Sequence, residues 1–234
     1  RRLLEASFDV VVFDDLSTGF RSFLPDEVVL VEGNLLETGL VESTLREHAI
    51  VLVIHIAGFK FPGISVEKPL HAYEQNVTAM ISLLAAMRIV GVNRIVFSSS
   101  SSVYGNAASG LVDESHPFNP TSPYGETKVI GEWLLRNEGV ADDLQHTSLR
   151  YFNVVGSAVT HLPDRSPYNL LSMVFGALER GEAPTVFGND YDTPDGTCIR
   201  DYIHVGDLAN AHVRAARTLL DDLPIEPAYN LGSG

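Results

Sequence analysis

Five consecutive serines, Ser98 to Ser102, close a short apolar run made by Ile95, Val96 and Phe97. A run of this length and composition reads as a strand buried on both faces, the habit of parallel sheets that are covered by helices. Similar runs recur at residues 8–13, 28–31, 51–58 and 148–156. Helical patterns fall between or after them at residues 71–90, 123–137, 169–180 and 206–220. Strands alternating with helices predict an α/β chain with a doubly wound parallel sheet. Ligands of such sheets bind beyond the carboxyl ends of the strands, which is where the serine cluster lies.

The stretch Tyr124-Gly125-Glu126-Thr127-Lys128 opens the helix that follows the serines, with Pro123 suited to its first turn. Val129, Ile130, Trp133 and Leu134 are expected to form its apolar face. Tyr124 and Lys128 are one turn apart on one face. An ammonium beside a phenol favours the phenolate, so the tyrosine pKa is expected to fall from about 10 toward neutrality. That pairing suits a general base for an alcohol, with a strand-end serine as its second hydrogen-bonding partner. The other reading of the same pair is two residues on a solvated helix face.

Of the 234 residues, 16 are Lys or Arg and 30 are Asp or Glu, giving a formal charge of −14. Such a balance argues against a nucleic-acid or anionic-membrane surface, while leaving room for one basic pocket around a phosphorylated ligand. The single cysteine, Cys198, rules out an internal disulfide and a cysteine-based metal cluster, and is expected to pack as a small hydrophobe. No metal site is expected. Neither a membrane span nor a signal peptide is visible, and a cytoplasmic enzyme is the expectation.

Asp14 stands at the tip of the strand at residues 8–13. A carboxylate there can bind the adenosine ribose hydroxyls of NAD and repel the 2′-phosphate of NADP; a loop aspartate or helix cap fits the same position. The glycine turn that should precede it has no room in the sequence, so it and its strand are expected to lie upstream. Ala57 and Gly58 end the strand at residues 51–58 and would let a pyrophosphate or ribose approach the backbone. Lys60 is a candidate ligand contact, and His55, inside the apolar run, is expected in the core rather than on a metal. Asn76 interrupts the apolar face of the helix at residues 71–90; a buried amide there needs partners, which a loop backbone beside the nicotinamide ribose would supply. Beyond residue 160 prolines are frequent and the pattern loosens. This part reads as a smaller lobe over the cleft, with loops around a short strand near residues 187–197.

The serine segment, Tyr124-x-x-x-Lys128 and the lead-in Asn119 to Pro123 together resemble the extended short-chain dehydrogenase/reductases, the NAD-dependent epimerase/dehydratase family. Further segments, residues 54–60, 103–105, 150–153, 187–191 and 200–205, extend the resemblance to its UDP-glucose (UDP-galactose) 4-epimerase branch, the GalE type. The related dehydratases typically carry an acidic residue where Ser101 and Ser102 stand here. The resemblance implies a Rossmann-type NAD-binding domain over residues 1–160 and part of a UDP-sugar-binding lobe over 161–234, whose C-terminal end is also expected to lie outside the sequence. It further implies Tyr124 as base, Ser100 as its hydroxyl partner and Lys128 holding the nicotinamide ribose. Asp14, Asn34, Leu35, Ala57, Lys60, Asn76, Tyr124, Lys128 and Phe152 would line the NAD site. Ser100, Asn153, Asn169, Leu170, Phe187 and Arg200 would hold the UDP-hexose, with Arg200 on a phosphate; core packing is the other reading for Phe187. Asn34 replaces a usual aspartate, and Tyr168 precedes Asn169 where an asparagine is more usual.

The implied activity is inversion at C4 of UDP-galactose and UDP-glucose through a 4-keto sugar. Two other readings are a related enzyme acting on UDP-glucuronate, a UDP-N-acetylhexosamine or a dTDP-hexose, and a non-catalytic nucleotide-sugar-binding protein. A homodimer through the helices at 71–90 and 123–137 is implied too, although their apolar residues could all face the sheet.

Overall fold

A computed structural model describes residues 1–107, 110–157, 159, 162–164, 166 and 168–234. The elements in chain order are α1 (Arg2–Glu5), β1 (Val11–Asp14), β2 (Val29–Glu32), α2 (Thr38–Glu47), β3 (Val53–His55), α3 (Pro62–Glu67), α4 (Pro69–Tyr73), α5 (Ala79–Val90), β4 (Arg94–Ser98), α6 (Pro123–Asp142), β5 (Gln145–Tyr151), β6 (Asn153–Val155), α7 (Leu170–Glu179), β7 (Tyr202–His204), α8 (Val205–Leu220) and β8 (Ala228–Leu231). Every strand pair is parallel, as the apolar runs predict. The main sheet has the order β3-β4-β5-β8, with the pairs β1-β2 and β6-β7 beside it.

β4 is the centre of this arrangement. Ile95 and Phe97 enter one core with Val41, Leu45, Met80, Leu83, Met87 and Leu135, from α2, α5 and α6. Val96, pointing the other way, enters a second core with Leu149, Ala215, Ala216 and Leu219, from β5 and α8. Each large side chain buried there contributes about 1.5–3 kcal/mol relative to exposure. A strand with cores on both faces has no polar alternation, which is why its sequence reads as a continuous apolar run.

Several expectations need correction. β1 and β3 are not fully buried strands: every β1 residue is only partly buried, and Val51 and Ile56 beside β3 are exposed. Each of the two pairs with one neighbouring strand, so the other edge lacks the cover β4 enjoys. The helix from residue 123 extends to Asp142, five residues further than its pattern indicates, and Asp143 closes it in the left-handed region. Val129 and Leu135 are its buried apolar residues, while Trp133 is half exposed. Between α7 and β7 the chain forms turns and no strand among the described residues. Cys198 is exposed rather than packed. Residues 205–231 return to the main sheet through α8 and β8, so the fold beyond residue 160 is interwoven with the first part.

Candidate active site

The β4 strand delivers its serines to the carboxyl edge of the sheet, and all three of Ser98, Ser99 and Ser100 are buried there. Ser100 starts a short 3-10 turn; its hydroxyl accepts from the Ser102 N–H at 3.1 Å. Opposite it, α6 begins with Ser122 capping the Gly125 N–H at 3.2 Å and Pro123 in the first turn. Such a cap is worth about 1 kcal/mol. The Tyr124 N–H, left without a helical partner in that first turn, donates to Ser65 Oγ of α3 at 3.1 Å. α6 then runs close against the sheet: a Cβ on Gly131 would lie 2.7 Å from the Phe97 ring. That proximity lets Lys128 reach the end of β4.

Tyr124 and Lys128 are both buried, not on a solvated face. Lys128 Nζ donates to the Ser98 carbonyl at 2.8 Å and lies 4.9 Å from the centre of the Phe97 ring and 5.7 Å from that of Tyr124. The expected fall in the tyrosine pKa is not found. Burial pushes the phenol well above its ordinary value and Tyr151 adds to this, while a hydrogen bond with Ser100 pulls it down. Burial is the largest of these influences. Burial also pushes Lys128 itself down to about 8, against the pull of the Glu132 carboxylate.

Asn76 takes the role its burial demands. It sits in a π-helical turn, Glu74–Thr78, between α4 and α5, a distortion that often marks functional sites. Its Oδ1 accepts from the Phe59 N–H at 2.6 Å, and its Nδ2 donates to the Phe59 carbonyl and to Thr127 Oγ1, each at 2.9 Å. The loop after β3 is thereby fastened to α6 one residue from Lys128. Gly58 in that loop has φ +136°, and a Cβ there would lie 2.6 Å from Asn76 Oδ1. His55 stacks on Phe97 at 5.6 Å and is pushed down to about 3 by burial and the Lys128 charge, which makes it the expected core residue.

The other positions are more loosely held. Asp14 Oδ1 accepts from the Leu16 N–H at 2.7 Å, and Asn34 Nδ2 donates to Asp15 at 3.0 Å and Gln75 at 3.2 Å. Leu35 packs against the first core, and Ala57 and Lys60 are exposed at the edge. The Phe152 N–H donates to the Leu231 carbonyl at 3.3 Å. Asn153 Nδ2 donates to the Asp201 carbonyl at 2.9 Å, and Asn169 Nδ2 to Asp164 at 2.6 Å. Tyr168 meets Phe61 with ring centres 5.0 Å apart, which brings Asn169 and Leu170 toward the Lys60 loop. Leu170 is exposed, Phe187 is 83% exposed, so not core, and the Arg200 guanidinium bonds the Ile199 carbonyl.

Sequence reasoning missed the support behind these residues. Glu132 is buried one turn beyond Lys128; it accepts from Ser99 Oγ at 2.5 Å and from Arg150 at 2.6 and 3.0 Å. Arg150 also donates to Tyr104 Oη at 2.7 Å, which donates to Asn230 at 2.6 Å. The signal available was the continuation of the helix face, Tyr124, Lys128, Glu132, at intervals of one turn.

Asp14, the loop at Gly58 and the Ser100 hydroxyl lie at the carboxyl ends of β1, β3 and β4, with Lys128 as a cation beside them. That set of donors and acceptors fits a dinucleotide laid along the edge. Residues 1–232 match the family described as NAD dependent epimerase/dehydratase. A UDP-glucose 4-epimerase of Azospirillum brasilense is 42% identical over 217 residues, covering 91% of this chain and 62% of that protein. The UDP-glucose 4-epimerase of Brucella ovis in complex with NAD superposes with a TM-score of 0.92 at 39% identity, over 99% of this chain and 72% of that one. The Stenotrophomonas maltophila UDP-glucose-4-epimerase, with bound NAD and formylated UDP-arabinopyranose, gives 0.88 at 37% identity, over 99% and 73%. With a Rossmann-type α/β fold, a buried Ser-Tyr-Lys constellation on its carboxyl edge and a family match over nearly its whole length, the chain belongs to the NAD-dependent epimerase/dehydratase family.

Proposed function

We propose that this chain carries the catalytic centre of a UDP-glucose 4-epimerase, interconverting UDP-galactose and UDP-glucose with NAD. The observation that carries this reading is the burial of Tyr124 beside Lys128 and Ser100 at the end of β4. Relatives with this activity, one solved with NAD and a UDP-sugar, support it.

Tyr124 removes and returns the proton on O4 of the hexose, a role that requires its phenol to ionise against the burial that raises its pKa. Ser100 hydrogen-bonds to the phenol and holds the reacting oxygen, and Lys128 supplies a fixed positive charge. NAD supplies, when bound, a reversible hydride transfer at C4. Asn76 holds the loop that borders the nicotinamide end, with Asp14, Asn34, Leu35, Ala57, Lys60 and Phe152 along the rest. Asn153, Asn169, Leu170, Phe187 and Arg200 anchor the UDP portion, so that the 4-keto sugar can turn over without leaving. In this division residues 1–160 bind NAD, α8 and β8 complete that sheet, and the segment from 161 holds the UDP-sugar. We place the enzyme in the cytoplasm and as a homodimer, the dimer being favoured by Ile81, Ile89 and Trp133, which α5 and α6 leave exposed.

Tyr124→Phe tests the assignment. Conversion of UDP-galactose should fall by about 10²–10⁴-fold with NAD still bound; a variant working at the parental rate would refute the role of Tyr124.

A further inference from the structure

On the far side of the sheet from α6, the His212 ring of α8 is buried against Ser98. Its Nε2 lies 2.9 Å from Ser98 Oγ and its Nδ1 lies 2.9 Å from the Leu208 carbonyl. A carbonyl oxygen only accepts, so the proton is on Nδ1 and Nε2 presents its lone pair. The Ser98 hydroxyl therefore donates to His212. Tyr151 lies beside this pair, its ring centre 6.4 Å from that of His212. The order of donation is thus settled along the row Ser98, His212, Leu208. Burial holds the imidazole below its ordinary pKa, in keeping with the neutral ring this order needs.

We infer that His212 is a positioning residue for the reaction: by fixing Ser98 through its hydroxyl, it fixes the carbonyl of the same residue that anchors Lys128. Ser98 is the pivot, because its side chain points to α8 while its carbonyl receives the α6 lysine. A histidine 84 residues after Lys128 in the sequence thereby acts on the catalytic lysine without touching substrate. The inference rests on the epimerase reading for its kinetic arm only.

The test uses the full chain carrying NAD. His212→Leu removes the acceptor, and His212→Gln returns one. In His212→Leu, kcat for UDP-galactose should fall about tenfold with KM nearly unchanged, because misplacement acts on the transition state; His212→Gln should recover most of that loss. The second readout is the ¹H–¹⁵N signal of the Lys128 ammonium below pH 7, slowed in exchange by its bond to Ser98. This signal should persist in the parent and His212→Gln and be lost in His212→Leu. A lowered melting temperature with kcat and the lysine signal intact would reduce His212 to packing and overturn the inference. A parent that leaves UDP-galactose unchanged would overturn the epimerase reading instead, and the lysine signal would then decide the role of His212. Should His212→Leu fail to fold, Ser98→Ala breaks the same bond from the other side and should give the same two losses; if it gives neither, the inference falls.

Discussion

The two parts of the candidate site are held in opposite ways. Around the end of β4 buried polar groups are locked by partners from distant elements: Ser98 by Lys128 and His212, Ser99 by Glu132, and nearby the loop at Phe59 by Asn76. Along residues 164–200 the side chains proposed for the sugar nucleotide are exposed and bonded mainly to near neighbours, as Asn169 is to Asp164 and Arg200 to Ile199. The first region is preorganised and suits proton transfer, which tolerates little misplacement. The second suits a ligand that supplies its own contacts. One region is a fixed tool and the other a surface awaiting its load.

The contrast can be broken most forcefully at Glu132. Glu132→Gln leaves the Arg150 guanidinium buried without its counter-charge and should cost about 3–5 kcal/mol in a urea titration. Replacing both together, Glu132→Leu with Arg150→Met, should recover most of that loss. Equal losses in the single and double variants would show that the pair is not held as one unit.

Lys128 comes next. Its pKa in the folded protein, about 8, lies below the ordinary 10.5. Between those pH values the unfolded chain keeps a proton that the folded protein has released, so stability rises with pH in that window. Relative to Lys128→Met, the parent should gain about 3 kcal/mol between pH 8 and 10.5. Parallel stability curves would show that the lysine is not desolvated.

A smaller effect is expected at Asn76, where Asn76→Ala leaves the Phe59 N–H and carbonyl without that partner. The loss should be about 1–3 kcal/mol, with faster hydrogen exchange at Phe59. At the other extreme, Phe187→Ala in the exposed segment should change stability by less than about 0.5 kcal/mol while weakening UDP binding measured by calorimetry. A large loss of stability there would mean that the two regions are less different than their burial indicates.

Much of this was legible beforehand because it is local. An apolar run ending in serines is a buried strand wherever it is placed, and Ser122-Pro123 starts a helix by capping chemistry alone. Tyr124 and Lys128 share a face by helical geometry. Asn76 could be singled out because an amide on an apolar face needs partners, although its π-turn could not be foreseen. The half-burial of β1 and β3, by contrast, depends on which strands lie beside them. The last turn of α6 is held by α5 rather than by its own pattern, Arg88 pairing with Glu138 and Asp142, and it lies against the start of β5, where Gly139 is close to His146. Cys198 was misplaced for a similar reason: composition gives a residue's preference, and only its neighbours give its exposure.

The sequence by itself determined the strand-and-helix alternation, the strand end where the serines collect and the helix face that Tyr124 and Lys128 share, because spacing along a helix or strand converts directly into a shared face or end. Only the tertiary structure decided the electrostatics of that site. Whether Tyr124 is raised or lowered depends on how completely water is excluded and on which groups lie beside the phenol. Both follow from elements far apart in the chain: β4 offering its Ser98 carbonyl, α8 offering His212, and β5 offering the Arg150 that pairs with Glu132. Burial and counter-charge are properties of a packed interior, and no stretch of sequence contains them alone.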